Sequence, residues 1–288
     1  MKIVTAFHSL VVLAALSFLM TGCRADEALE SVGLTTMTAG IEEVTKASVN
    51  DAGVVVWNAG DAVSVFNGIG FDTLTLVGTG GSATGVFQGS TSGPAQSVAL
   101  YPASAEHSCD GSSVSFHLPS SYTYAENGNA RMPMMALVSG TGTIKFRHLG
   151  GVMKVTYGGI PPTADRFIFR TVNRRVTGNF TVPISKSAIL EAESDSSGDS
   201  VTVTFSPSSV VTTRTFYIPL PTGEYGNFYV TMYAGNTLID QHHACSEANV
   251  IEKRTLLIMP DINVSGAGIS SGEAFVEEDF SLQWGKRQ

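Results

Sequence analysis

The chain has 288 residues, 43% hydrophobic and 15% charged, which gives it enough apolar content for a folded body rather than a disordered one. Its net charge is −8, from 17 basic and 25 acidic residues, so it repels phosphate backbones and nucleic acid is excluded as a partner. The 30 glycines, with many Ser, Thr and Val residues, point to strands and turns rather than helices.

The chain opens on Lys2, an apolar run from Ile3, and then Leu19-Met20-Thr21-Gly22-Cys23. A positive charge, a short apolar run and small residues form a secretory signal. The cysteine straight after Thr21-Gly22 fits a bacterial lipobox, with cleavage before Cys23 and acylation of its thiol. An ordinary secretory signal with an incidental cysteine is the weaker alternative. A transmembrane helix is weaker still, because the run is short for a span of roughly 20 residues and Thr21-Gly22 closes it.

After Cys23 comes an acidic tether, Arg24 to Glu30. In Ser31–Ile41 the residues Thr35, Met37, Ala39 and Ile41 fall on one side of an expected strand. Glu42 to Ser48 reads as an exposed connector. From Gly53 onward the pattern is β throughout. Val63 and Val65 alternate with Ser64, and Leu74 and Leu76 with Thr73 and Thr75. Val114, Phe116 and Leu118 alternate with Ser113, Ser115 and His117. Ser139-Gly140-Thr141-Gly142 is the expected domain boundary. Beyond it Ile144 and Phe146, then Met153, Val155 and Tyr157, then Val201, Val203 and Phe205, then Phe228, Val230 and Met232 continue the alternation. No stretch holds a helical period, and short strands between Gly and Pro turns describe β-sandwiches. The last stretch, Phe275 to Trp284, sets Phe280, Leu282 and Trp284 on one strand face. That face either packs on its own domain or is donated to the open sheet edge of a neighbouring molecule.

Signatures of chemistry are sparse. There is no HExxH, no close cysteine pair and no phosphate-binding glycine loop. His242 and His243 are adjacent, so on a strand they point to opposite faces and suit one metal poorly. His148 reads as a structural hydrogen-bonding residue. No cofactor, no metal and no enzymatic activity are expected. Cys109 and Cys245 are expected as separate thiols in different domains. Trp57, Tyr122, Tyr124, Tyr229 and Tyr233 are weighed as a sugar platform against the commoner role of strand aromatics as core.

Several motifs, in order, resemble the fimbrillin family, the type V pilus subunits and their Mfa-like relatives. They are Val56-Trp57-Asn58-Ala59-Gly60-Asp61-Ala62-Val63-Ser64-Val65-Phe66, Gly85-Val86-Phe87-Gln88-Gly89, Ala99-Leu100-Tyr101-Pro102, Met132-Pro133-Met134, Phe146 to Val155, and Phe216-Tyr217-Ile218-Pro219-Leu220-Pro221-Thr222-Gly223. The resemblance implies an all-β chain of two tandem transthyretin-like β-sandwich domains. It divides the chain into a lipoprotein signal peptide at 1–22, a tether and removable strand at 23–46, an N-terminal sandwich at 47–140 and a C-terminal sandwich at 141–288. It also implies export as a lipoprotein to the outer membrane, a proteolytic cut after a basic residue, here Lys46 where Arg is usual, and donor-strand exchange with other fimbrial subunits. Phe280, Leu282 and Trp284 would form the donor face, and Cys23 the lipid site. The partners implied are other subunits, the outer membrane through lipid, and a host or bacterial surface ligand. The alternative is a monomeric surface lipoprotein that binds a glycan or another ligand.

Overall fold

The computed structural model describes residues 33–42, 56–124, 131–139, 143–172, 174–194, 197–245 and 249–264. The described residues all belong to one compact unit, 32–288. These residues form strands and turns with no α-helix, so the expected all-β class holds. No helix among them is long and apolar enough to cross a membrane.

Seven strands close into a barrel. In order around it they are Gly33–Ile41, Ile144–His148, Met134–Leu137, Val98–Tyr101, Ala62–Phe66, Phe71–Leu76 and Thr84–Thr91, which returns to Gly33–Ile41. The period-2 alternation read from the sequence decides which side chains face inward. Met37, Ala39, Val63, Val65, Leu74, Leu76, Phe87, Phe146 and Trp57 fill the interior as one buried cluster. Trp57 is at its centre and meets Phe87, Tyr101 and Phe146 edge to face, with ring centroids 5.0, 5.3 and 5.5 Å away. The Gly85-Val86-Phe87-Gln88-Gly89 motif has a steric reason. A Cβ on Gly85 would lie 2.5 Å from Leu76 Cδ1 and 3.1 Å from Trp57 Cδ1, so the indole is accommodated only where the facing residue lacks a side chain.

The second half is a sandwich. One sheet runs Ser121–Thr123, Ser200–Thr204, Arg166–Thr171, Asn227–Ala234, Thr237–Cys245; the other holds Arg214–Leu220, Gly151–Gly158 and Leu256–Ile258. Both sheets contribute to a single core, in which Phe167, Phe169, Val201 and Phe228 of the first meet Met153, Val155, Tyr157 and Phe216 of the second. Phe167 and Phe216 stack across the sheets at 4.3 Å.

A third cluster joins the two halves. The outward-facing Phe66, Val98, Leu100 and Met135 of the barrel pack against Val114, Phe116, Leu118, Phe180 and Val182 of a small sheet. That sheet pairs Ser113–Leu118 with Gly178–Pro183, and so draws on both halves of the sequence. Ser121–Thr123 likewise pairs with Ser200–Thr204. The expected boundary at 140/141 lies outside the described residues. The strands flanking it, Met134–Leu137 and Ile144–His148, are antiparallel neighbours in the barrel, with Met134 opposite His148. The reason is the first strand: Ile144–His148 supplies its partner in closing the ring.

Trp57→Ala should lower unfolding stability by about 3–5 kcal/mol, because it opens a large hole among rings that cannot collapse. Trp57→Phe should be much milder, since the buried Nε1 has no hydrogen-bond partner among the described residues. Urea unfolding curves of the two variants measure both values.

Candidate functional site: the first strand and its groove

Gly33–Ile41 is a nine-residue strand whose alternate side chains point in and out of the barrel. Met37, Ala39 and Ile41 are buried while Leu34 is 73% exposed, which is the face read from the sequence. On one side the strand pairs antiparallel with Thr84–Thr91 along eight residues, from Gly33 opposite Thr91 to Gly40 opposite Thr84. On the other side it runs parallel to Ile144–His148, with Ala39 opposite Ile144 and Ile41 opposite Phe146. Sizes match across the inner face: Met37 is opposite Phe87, and Ala39 is opposite Gly85. Two further backbone bonds fix the exit, Ile41 N–H to the Ala83 carbonyl and Glu42 N–H to the Phe146 carbonyl, both 2.8 Å.

Magnitudes show what removing this strand would mean. Burial of Met37 and Ile41 contributes about 1.5–3 kcal/mol each, and each ladder bond adds roughly 0.5–1.5 kcal/mol. The sum rivals the 5–15 kcal/mol that holds a typical domain together. Withdrawal would also leave two unpaired strand edges beside an apolar trough. The groove is stable only while occupied.

Charged groups collect where the strand ends. Arg147 donates to the Glu42 carboxylate, with a second contact from Nη2 at 3.5 Å, and Arg254 approaches it at 3.8 Å. The Arg147 hydrogen bond holds the Glu42 carboxyl below its usual range, with Arg254 and Lys145 adding to the effect. Lys253 donates to the Ala188 carbonyl at 2.6 Å; burial and the neighbouring Arg254 and Arg147 lower its pKa. His148 is buried near them, and its Nδ1 has no hydrogen-bond partner among the described residues. Burial, with Arg254 and Lys253 nearby, lowers its pKa to about 4.

Elsewhere, a cleft of about 630 Å³ has Asn58, Asp61, Tyr122, Tyr124, Arg131 and Tyr217 in its lining. Asp61 is buried and accepts from Tyr101 Oη at 2.9 Å and from the Asn58 N–H at 2.8 Å; burial raises its pKa despite these bonds. His242 and His243 do point to opposite faces. His242 meets Asp240 at 2.6 Å near Tyr157, whereas His243 stacks on Tyr229 at 4.3 Å. Among the described residues no group of three or more His, Cys, Asp or Glu could hold a metal ion. Cys109 is a free thiol.

Cys23, Lys46, Phe280, Leu282 and Trp284 lie outside the described residues. Trp57 is core and drops out of any sugar platform, whereas Tyr122 and Tyr124 share the cleft. Sequence reasoning missed the Glu42–Arg147–Arg254 cluster. Its members are far apart in the chain, and Glu42 reads there as part of an exposed connector.

No protein-family model matches the chain, and no curated protein is significantly similar to it. Three solved structures show similarity to it. Two are each described as a "putative cell adhesion protein". The one from Bacteroides uniformis is 15% identical, with TM-score 0.43, and the match covers 83% of this chain and 95% of that one. The one from Bacteroides ovatus is 9% identical, with TM-score 0.48, and the match covers 86% and 98%. A third is the tip fimbrial protein Mfa3 of Porphyromonas gingivalis with a C-terminal truncation, 11% identical with TM-score 0.32, covering 73% and 81%.

His148 predicts a pH dependence. Its folded pKa is depressed to about 4 from the ordinary histidine value of 6.5, so the unfolded chain binds more protons between those values. The stability associated with the neutral ring is therefore complete above pH 6.5 and is lost as pH falls towards 4. The upper limit of the loss is roughly 3 kcal/mol. His148→Phe should flatten this slope, as chemical unfolding at a series of pH values would show. The Glu42 pair acts in a separate window, below about 4.5, where its carboxylate takes up a proton.

Proposed function

We propose that this chain is a non-enzymatic subunit of a bacterial surface fimbria, exported as an outer-membrane lipoprotein through Cys23 and assembled by strand exchange. A cut after Lys46 releases Gly33–Ile41 together with the lipid. The emptied groove then takes the C-terminal stretch of another copy, with Phe280, Leu282 and Trp284 facing the barrel interior. The assembled fibre supports adhesion to a host or bacterial surface ligand. The observation that carries this reading is the first strand itself. It completes the barrel from the N-terminal end, is bonded on both sides, and its last residue lies five positions before Lys46. The ordered motifs that resemble fimbrillins, together with the lipobox, support the same reading. A donated strand would supply main-chain hydrogen bonds to both exposed edges, and its alternate side chains would set specificity.

Deletion of residues 275–288 should leave a folded monomer that no longer polymerises. Fibres formed by that truncated protein would remove the donor assignment. Mass spectrometry of the protein taken from cells distinguishes a lipidated Cys23 start, expected of an anchored subunit, from an Ala47 start, expected of a processed one.

The cleft favours a second reading, a surface lipoprotein that binds a glycan. Tyr122, Tyr124 and Tyr217 line the cleft together with the polar side chains of Arg131 and Asn58, a mixture suited to a sugar. In that case sugar binding, measured by calorimetry, should be lost in Tyr122→Ala and be unchanged when 275–288 is removed.

A further inference from the structure

The groove of the first strand is electrically polar, and its two ends carry opposite charge. At the Ile41 end, Arg147, Arg254, Lys145 and Lys253 surround a single carboxylate, Glu42. Among the described residues no other carboxylate pairs with these four cations. Such a basic island stands out on a chain of net charge −8. At the opposite end Gly33 lies across from Thr91, and the next residue, Ser92, donates to Asp72 from its backbone N–H at 2.9 Å and its hydroxyl at 3.3 Å. The strand between the ends has nine residues at about 3.3 Å each, well beyond the roughly 10 Å over which charges act in 0.1 M salt. Each end therefore selects its own counter-charge.

The cations sit on Ile144–His148 and on the turn at 253–254, which remain in place when the first strand leaves. Glu42 is upstream of Lys46 and would depart with it, leaving the island uncompensated. The C-terminal stretch has a matching asymmetry: Glu277-Glu278-Asp279 precede its apolar face, and Lys286-Arg287 follow it. Asp279 to Arg287 is nine residues, the length of the strand to be replaced. Entry in the direction of the resident strand would set Lys286-Arg287 against Arg147 and Arg254, and the acids against Asp72. Entry in the reverse direction satisfies both ends.

Resting on the strand-exchange reading, we propose that this charge polarity selects the orientation of the incoming strand. The C-terminal segment of a second copy enters with Glu277-Glu278-Asp279 at Arg147 and Arg254 and with Lys286-Arg287 at Asp72, antiparallel to Ile144–His148. The apolar face supplies the holding energy, and the flanking charges supply direction and speed of encounter.

The test uses the full chain with the recognition sequence of a site-specific protease placed at 43–46, cut there at low salt, with polymer growth followed by light scattering. The tail variant E277Q/E278Q/D279N, which leaves every described residue unchanged, should assemble about tenfold more slowly and lose most of its salt dependence. The reversal E277K/E278K/D279K should be slower again, and R147E/R254E in the same chain should restore its rate. If the neutral tail assembles as fast as the unaltered chain, charge does not guide entry and the proposal fails while strand exchange stands. Faster assembly of the unaltered tail on a D72K chain would put its acids at residue 72, place the strand the other way round and overturn the orientation. Absence of any assembly by the unaltered cut chain would remove the strand-exchange reading, and this proposal with it.

Discussion

The described structure depends on the two-sided hydrogen bonding of Gly33–Ile41. A β-barrel has no edge only if every strand has two partners, and this strand is the one that joins Thr84–Thr91 to Ile144–His148. Without it the ring would present two unpaired edges and an open apolar trough containing Phe87, Phe146 and Trp57. Its hold is nevertheless uneven. Eight residues pair on the antiparallel side and three on the parallel side, so the strand is bound mainly by its neighbour at 84–91.

That arrangement links the cores to one another. The barrel interior is built around Trp57, whose indole is accommodated because Gly85 has no side chain and Ala39 on the first strand is small. The outer face of the same barrel packs on the small sheet of 113–118 and 178–183, which ties the barrel to the sandwich half of the chain. A change of occupant in the groove would therefore be felt first by Trp57 and Phe87, and only through the barrel wall by the rest. The charged cluster at the strand exit is half-exposed, so it contributes more to pairing direction than to stability.

Much of this was legible as period-2 alternation. Met37, Ala39 and Ile41, then Val114, Phe116 and Leu118, then Met153, Val155 and Tyr157 are buried in the pattern their spacing gives, because one face of each strand must meet a core. The opposed faces of His242 and His243 followed from the same geometry. Trp57 was harder to place, since an aromatic on a strand is compatible with a core or with a sugar platform until its neighbours are known. His148 reads in the sequence as a hydrogen-bonding residue; the state of its buried Nδ1, which has no partner among the described residues, depends on neighbours remote in the chain.

The sequence by itself determined that the chain is all-β, which face of each strand is apolar, and that an N-terminal segment ending near Ile41 forms a strand. These are local properties, set by side-chain alternation and turn residues within a few positions. Only the tertiary structure decided which strands pair. It placed 33–41 between 84–91 and 144–148, closed the ring across the linker region at 140, and brought Glu42 to Arg147 and Arg254. Strand pairing joins residues remote in the chain, and no local pattern specifies which remote edge each strand will meet.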